Sequence, residues 1–373
     1  MKGRKLLMIP GPIEFEPEVM MAVGVPTTSH VAPDFIETFG RALEMMREVW
    51  LAPSGQPFIM AGSGTLAMDM AGANLIEPGD RVLVISTGYF GERYAELLKR
   101  YGATVTILTA PTGDVVSPVA VEEELKRSRY KLMTFTHVDT STAVRVDPEP
   151  LSALGDKYGV ITVLDGVCSV AGEEIKQEEW KTDVVLTASQ KAVGVPPGLA
   201  LMVVSERAME AWSKRKSPVG SYYSDWTHWL PVMKAYEERR PAYFGTPAVN
   251  LICGLEVSLR LILKEGMEAR FRRHRERGAA FREAIREMGM RMIPVSEEVS
   301  ANTLSAPFYP DGVSGKQFMK AMASSGVIVA GGLLPEIKDD YFRVGHMGSV
   351  SRGDILATVD AIAGALSACG YRK

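Results

Sequence analysis

Short apolar runs alternate with amphipathic stretches between about residues 60 and 205. The apolar runs are rich in β-branched residues and predict strands at 81–86, 103–109, 130–136, 160–165, 183–189 and 199–205. The stretches that carry apolar residues at helical spacing lie between them, at 91–102, 118–128 and 147–159. Strands that are apolar on both faces need helices on both sides, so this order predicts an α/β fold with a mainly parallel sheet.

The pattern changes after the segment FGTP. Two long stretches with helical spacing follow, at 248–266 and 267–289, and the second ends at a glycine. Shorter strand-like and helical segments complete the chain, with a last helix that begins at Ser351. We therefore predict an N-terminal arm at 1–15, a large domain at 16–255 and a smaller α+β domain at 256–373.

The charge balance of the 373 residues is close to even, with 42 Lys and Arg against 45 Asp and Glu and a formal net charge of −3. A basic run, RFRRHRERG at 270–278, contains a glutamate and lies in a predicted helix. This composition favours a solvated helix face over a nucleic-acid surface. The strongly apolar runs are too short to span a bilayer. We therefore expect neither a nucleic-acid nor a membrane partner.

The three cysteines, Cys168, Cys253 and Cys369, lie far apart in the chain. An odd number of widely spaced cysteines does not form a disulfide framework, and their spacing is not that of metal ligands. The sequence also lacks the cationic and apolar regions of a secretory signal at its start. These observations predict a cytoplasmic protein without a metal site.

Candidate chemistry is expected where parallel strands end, because ligands of open α/β sheets gather at that edge. The segment AGSGTLAMDM at 61–70 is a Gly/Ser/Thr loop that runs into a helical pattern. Backbone N–H groups at such a helix start, with the hydroxyls of Ser63 and Thr65, are suited to hold a phosphate. The segment matches neither the dinucleotide fingerprint nor the P-loop. A glycine turn with a threonine N-cap explains it equally well.

Two further loops follow predicted strands. STGYFGER places Phe90 where a ring can cover a flat heterocycle, although a lone aromatic residue at such a position is more often part of the core. THVDTSTA is a cluster of hydroxyls with His137 and Asp139, for which a hydrogen-bonded polar turn is the simpler interpretation. Neither loop identifies a ligand by itself.

A carboxylate and a lysine complete the set of candidates. Asp165 ends an apolar strand, and a buried carboxylate needs a cationic or N–H partner. Lys191 follows the next predicted strand and precedes the turn GVPPG, although lysine is costly to bury. Pyridoxal phosphate uses a phosphate cup, a ring cover, a carboxylate for its ring nitrogen and a lysine for its aldehyde. The combination therefore predicts a pyridoxal phosphate site with Lys191 bonded to the cofactor.

Segments along most of the chain resemble the class V, fold-type I pyridoxal-phosphate aminotransferases, and among these the alanine–glyoxylate and serine–pyruvate aminotransferase group. The segments are GSGTLAMD, STGYFGER, THVDTSTAV, LDGVCSVAGEE, LTASQKAVGVPPGLA, AYFGTPAVNL and YFRVGHMG. The likeness begins with IPGPIEFEPEVM and SHVAPDF. DGVCS and SQK, in this order and spacing, are its specific part.

The resemblance implies how the cofactor ring is held. Lys191 bonds to the cofactor and, once displaced by substrate, moves a proton as general base and acid. Asp165 pairs with the ring nitrogen, and Val167 packs under the ring. Phe90 stacks over the ring, where many relatives carry tryptophan, and Thr140 hydrogen-bonds near the phenolic oxygen.

The resemblance also implies a phosphate site and a substrate site. The phosphate ligands are Ser63, Gly64, Thr65 and Gln190, with Tyr243 and Thr246 from a second subunit. Many relatives carry histidine where Thr65 stands. Arg343 binds the substrate α-carboxylate through its guanidinium fork, and Gly11 lies close to that carboxylate. A structural salt bridge is the alternative role for Arg343.

The implied activity is a ping-pong transfer of an amino group from alanine or serine to glyoxylate or pyruvate. The implied assembly is a homodimer with shared active sites. Three alternatives remain open: another class V enzyme such as a phosphoserine aminotransferase or a lyase, a non-catalytic phosphate-binding module, and an accessory subunit that keeps the fold without the activity.

Overall fold

The elements of the fold are taken from a computed structural model, which describes residues 5–371. Within this range the strands are β1 (Leu6–Leu7), β2 (Gln56–Ala61), β3 (Arg81–Ser86), β4 (Thr104–Thr109), β5 (Leu132–Thr136), β6 (Ile161–Asp165), β7 (Val184–Ala188), β8 (Leu199–Val204), β9 (Leu304–Ser305), β10 (Val327–Ile328), β11 (Ala330–Gly331) and β12 (Phe342–Gly345). The helices are α1 (Pro17–Val23), α2 (Pro33–Val49), α3 (Gly64–Leu75), α4 (Tyr89–Arg100), α5 (Pro118–Arg127), α6 (Pro148–Tyr158), α7 (Glu206–Ser213), α8 (Trp226–Glu237), α9 (Val249–Glu265), α10 (Met267–Glu287), α11 (Gly315–Ser324) and α12 (Arg352–Ala368).

A mainly parallel sheet lies at the centre of the larger hydrophobic core, with the strand order β2-β8-β7-β6-β5-β3-β4. Each strand from β4 through β3, β5 and β6 to β7 is parallel to its neighbour, whereas β8 is antiparallel to both β7 and β2. The predicted α/β fold is therefore confirmed. Parallel neighbours end at the same edge of the sheet, and the register places Thr136 beside Asp165 there.

A second, smaller core is formed by α10, α11 and α12 with β10 and β12. The first described residues belong to this part of the molecule, because Leu6–Leu7 pairs in parallel with Val327–Ile328. From there the chain crosses to the central sheet, and α1 and α2 pack against α9. None of the helices within residues 5–371 has both the length and the apolar character that a membrane span requires.

Helix α10 contains the arginine-rich run, and the prediction of a solvated face is wrong for one side of it. Arg270 is only 7% exposed and donates hydrogen bonds to the carbonyls of Ala171 and Ala192. His274 is fully buried and accepts a hydrogen bond from the N–H of Gly348. Loop carbonyls that are buried need donors, and a guanidinium supplies several. This side of α10 therefore binds the backbone of the segments that follow β6 and β7.

Candidate active site

A cavity of about 210 Å³ lies at the carboxyl edge of the central sheet. The predicted site residues that line it are Ser63, Gly64, Thr65, Phe90, Thr140, Asp165, Val167, Gln190 and Lys191. The lining residues that the sequence reasoning missed are Met68, Arg93, Thr136 and Val138. The ends of β5 and β6, the loops that follow β5, β6 and β7, and the first turns of α3 and α4 thus meet in one place, as the parallel topology requires.

The start of α3 forms one wall of the cavity. Ser63 is the N-cap residue but makes no side-chain cap hydrogen bond, and the first N–H in α3 to donate within the helix is that of Leu66, to the Ser63 carbonyl. The N–H groups of Gly64 and Thr65 are therefore available for a ligand. A Cβ atom at Gly64 would lie 2.8 Å from Cγ2 of Val167, which explains why glycine stands there. The Thr65 hydroxyl accepts a hydrogen bond from Nη2 of Arg93 at 3.0 Å. The alternative of a threonine N-cap is therefore wrong.

Asp165 is buried at the end of β6, with 2% of its surface exposed. Burial raises the pKa of its carboxyl group to about 6, and the negative charge of Asp139 acts in the same direction. A hydrogen bond from the N–H of Val167, at 3.0 Å to Oδ1, and the charge of Lys191 oppose this rise in pKa. A cation or protonated ring nitrogen brought into the cavity would stabilise the Asp165 anion further.

The N-terminal segment covers Lys191. The lysine Nζ donates a hydrogen bond to the carbonyl of Pro10. Gly11 has a φ of +127°, and a Cβ atom there would lie 2.6 Å from Cδ and 2.7 Å from Nζ of Lys191. Only glycine lets the chain pass this close to the lysine amine. Gly11 therefore lies against Lys191, although it does not line the cavity itself, and its predicted place near the substrate carboxylate stays a prediction.

The polar loop after β5 contributes Val138 and Thr140 to the cavity wall, whereas Asp139 and His137 are structural, as the simpler interpretation predicted. Asp139 is completely buried and accepts hydrogen bonds from the N–H groups of Phe90 and Ser141 at 3.0 and 2.8 Å. It thereby caps α4 and positions Phe90 at the cavity wall. His137 is also buried, and burial lowers the pKa of its imidazole to about 3, so the ring is neutral at physiological pH.

Arg343 lies behind the cavity on β12. Its Nε donates to the carbonyl of Gly331 at 2.8 Å, and its Nη1 donates to the carbonyl of Thr140 at 3.2 Å. Among residues 5–371 it forms no ion pair, so the structural salt bridge that the sequence left open is absent from this part of the chain. Burial lowers the pKa of the guanidinium, which remains charged. The Arg343 guanidinium, which has no carboxylate partner in the described part of the chain, therefore lies next to Thr140 in the cavity wall.

Tyr243 and Thr246 do not reach the cavity of their own chain. Both are exposed, and the Tyr243 side chain is 64% exposed with its ring centroid 5.2 Å from that of His30. Their predicted role in the site of a second subunit remains a prediction.

Arg93, which the sequence reasoning missed, could have been found from the sequence, because it follows Phe90 by three residues on a helix and so shares its face.

The residues of the cavity fit pyridoxal phosphate. Gln190 lines the same cavity as the residues at the start of α3, and its buried side-chain oxygen Oε1 has no hydrogen-bond partner among the described residues. A buried carboxylate, Asp165, and a lysine amine, Lys191, face the same cavity. Donors for a phosphate, an anion for a ring nitrogen and an amine for an aldehyde are thus present together. This fold and this set of groups define a pyridoxal phosphate enzyme.

Comparisons with known proteins agree with this class. Residues 18–334 match the family described as aminotransferase class V, and the chain belongs to that family. It is 39% identical to alanine–glyoxylate aminotransferase 1 of Saccharomyces cerevisiae, over 93% of each chain. It is 31% identical to L-aspartate–glyoxylate aminotransferase of Paracoccus denitrificans, over 94% of this chain and 88% of the other.

A solved structure supports the same assignment. The alanine–glyoxylate aminotransferase of a Nostoc species superposes with a TM-score of 0.92 at 31% identity, over 98% of this chain and 96% of the other. The resemblance inferred from the sequence and the predicted cofactor are therefore confirmed, and the protein is a pyridoxal phosphate-dependent aminotransferase.

Proposed function

We propose that this enzyme transfers the amino group of alanine or serine to glyoxylate or pyruvate in two half-reactions. The observation that carries the proposal is the placement of Lys191 and Asp165 in one cavity, with the guanidinium of Arg343, which has no ion-pair partner among residues 5–371, behind its wall. The similarity to alanine–glyoxylate aminotransferases supports this choice of substrates.

Each residue has a separate part in the proposed reaction. The bound cofactor supplies an aldehyde for the substrate amine and a ring that takes up the electron pair released at the substrate Cα. Lys191 accepts the Cα proton and returns it on the other side of the transferred nitrogen. Asp165 would keep the ring nitrogen of the bound cofactor protonated, and Phe90 and Val167, which line the same cavity, would hold the ring. Arg343 holds the α-carboxylate, which fixes the orientation of the Cα–H bond.

A half-reaction screen tests the proposed substrates. The yellow holoenzyme is mixed with alanine, serine, aspartate or phosphoserine, without a keto acid, and loss of the visible absorption band is followed. We expect alanine or serine to bleach the band and glyoxylate to restore it with formation of glycine. Bleaching by phosphoserine alone would support the alternative aminotransferase. A protein that stays colourless with pyridoxal phosphate would support a non-catalytic role.

Arg343→Lys is expected to lower kcat/KM for alanine by roughly 100-fold, because an ammonium group cannot replace a bidentate fork. The loss should lie mainly in KM, since the interaction is made with the carboxylate in the ground state as well. Stopped-flow measurement of the alanine half-reaction over a range of concentrations checks this.

Ethylamine provides the control for Arg343, because it carries an amine but no carboxylate. Its slow reaction with the cofactor should be the same in the variant and the wild type. An equal loss with alanine and ethylamine would mean that Arg343 only supports the cavity wall through Thr140. The surface substitution Arg352→Lys, at the exposed start of α12, should leave both reactions unchanged.

We propose further that the enzyme is a homodimer in which Tyr243 and Thr246 reach the phosphate site of the other subunit. The exposure of both side chains in the single chain supports this role. Other large apolar side chains near the start of the chain are also exposed, among them Met20 and Met21, and a second copy of the chain would cover them. The three free cysteines support a reducing, cytoplasmic setting.

Subunit mixing tests the shared site. Homodimers of Tyr243→Ala and of Lys191→Ala should each be impaired, and unfolding and refolding them together should restore activity. The reason is that a mixed dimer places both defects in one site and leaves the other site intact. Recovery toward about a quarter of wild-type activity is expected from random pairing, since half of the dimers are mixed and each has one intact site. No recovery despite formation of mixed dimers would contradict sharing.

A further inference from the structure

The guanidinium of Arg93 is a cationic group of the cavity to which the family resemblance gave no role. We propose that Arg93, acting with the Thr65 hydroxyl, binds the phosphate of the cofactor and supplies its main positive charge. The inference rests on the proposed function, because it concerns the cofactor of that same site.

The position of Arg93 is the first argument. It lies one helical turn after Phe90 on α4 and lines the same cavity. Its Nη2 reaches across to the start of α3 and donates to Thr65 Oγ1 at 3.0 Å. Among residues 5–371 it forms no ion pair. An arginine at a cavity wall without a carboxylate partner is placed to receive an anion from outside the chain.

The charges of the cavity are the second argument. The ionisable side chains of its lining are Arg93, Asp165 and Lys191. The cofactor aldehyde takes the amine of Lys191, and Asp165 faces the ring nitrogen, so neither neutralises a phosphate. The N–H groups of the α3 start contribute only about half a positive charge. Arg93 is then the lining residue whose full charge is left to oppose a phosphate close to two negative charges.

The Thr65 hydroxyl is the third argument. A hydroxyl group has one donor and two acceptor positions. Because Thr65 Oγ1 accepts from Arg93, its own proton remains free to be donated to a phosphate oxygen at the α3 start. The pair can therefore bind the phosphate through one direct guanidinium contact and one hydroxyl contact. Histidine, which many relatives carry at this place, cannot accept and donate at the same atom.

Cofactor binding measured without any substrate tests the proposal. The full-length protein is freed of cofactor and titrated with pyridoxal phosphate and, separately, with pyridoxal, which lacks the phosphate. Arg93→Met should raise the Kd for pyridoxal phosphate roughly 10- to 100-fold, the usual effect of losing a charged hydrogen bond. The Kd for pyridoxal should change less than about twofold, and Arg93→Lys should recover part of the loss.

Arg100→Met is the matched control, because Arg100 is exposed in the last turn of the same helix and its loss changes the net charge equally. It should leave both Kd values unchanged. An Arg93→Met variant that weakens both ligands equally, or neither, would overturn the proposal. Normal pyridoxal phosphate binding with a selective loss of the aspartate half-reaction would also overturn it, in favour of a substrate carboxylate. A wild-type protein that binds no pyridoxal phosphate would overturn the proposed function as well.

Discussion

Replacing Lys191 by alanine is expected to lower transamination about 10⁴-fold while the protein still folds. The variant removes both the amine that bonds to the cofactor and the group that moves the proton, and general acid–base catalysis alone contributes up to about that factor. The fold should persist because the lysine side chain is only partly buried and its amine makes a hydrogen bond to Pro10. Formation of pyruvate from alanine and glyoxylate, with thermal unfolding followed by circular dichroism, measures both effects.

Two further readouts separate a missing amine from a damaged site. Borohydride should fix the cofactor covalently to the wild type but not to the variant, from which gel filtration should remove it. Lys214→Ala is the control, because the Lys214 side chain is 69% exposed and pairs with Glu210 on the surface. Turnover of Lys191→Ala at the wild-type rate, or equal covalent labelling of the two proteins, would show that another amine performs the chemistry.

The central sheet could be predicted because its inner strands are buried on both faces. All five residues of β6, and likewise of β7, are buried, which explains why the sequence shows continuous apolar runs there instead of alternation. Strand β2 was missed because it contains Pro57 and follows a loop rich in Gly, Pro and Ser. It is defined instead by antiparallel pairing with the distant β8.

Helix α2 could have been predicted from the hydrophobic pattern, because its buried residues lie at helical spacing, among them Phe35, Phe39, Leu43 and Met46. The two-residue strands β9, β10 and β11 lie within the shorter strand-like segments predicted for the end of the chain, but the pattern did not predict their bounds. Strands this short carry no periodicity of their own and exist only through their tertiary neighbours. The same holds for the buried side of α10, where arginines that resemble a solvated surface find backbone carbonyls of other segments.

The candidate site could be predicted as far as its chemistry demands particular residue types. Lys191 and Asp165 were found because a lysine and a carboxylate that follow apolar strands require an explanation, and the structure places both in one cavity. The contact between Lys191 and Pro10 joins residues 181 positions apart and depends on how two parts of the chain pack. The bond between Arg93 and Thr65 likewise depends on the packing of α4 beside α3.

Asp165→Asn is expected to lower kcat roughly 10²- to 10³-fold, the usual loss when one preorganised electrostatic group is removed. The amide can still accept the hydrogen bond from the N–H of Val167, so the loop after β6 should be retained. The asparagine amide, however, has no negative charge with which to keep the ring nitrogen protonated. Single-turnover rates with alanine measure the loss, and Asp156→Asn, which alters a partly exposed surface carboxylate, is the control.

The pH dependence of cofactor binding gives Asp165 a second, independent signature. In the cofactor-free protein burial holds the pKa of Asp165 at about 6, so the carboxyl is ionised above that pH and neutral below it. A bound ring nitrogen that carries a proton stabilises the anion and lowers this pKa. Binding below about pH 6 must then release a proton from Asp165, and the affinity should fall about tenfold for each unit by which the pH is lowered below 6.

The variant Asp165→Asn is the control for this pH dependence. The cofactor's own titrations are common to both proteins, so the difference between wild type and Asp165→Asn isolates the carboxyl group. Parallel pH profiles for the two proteins would mean that Asp165 does not face the ring nitrogen.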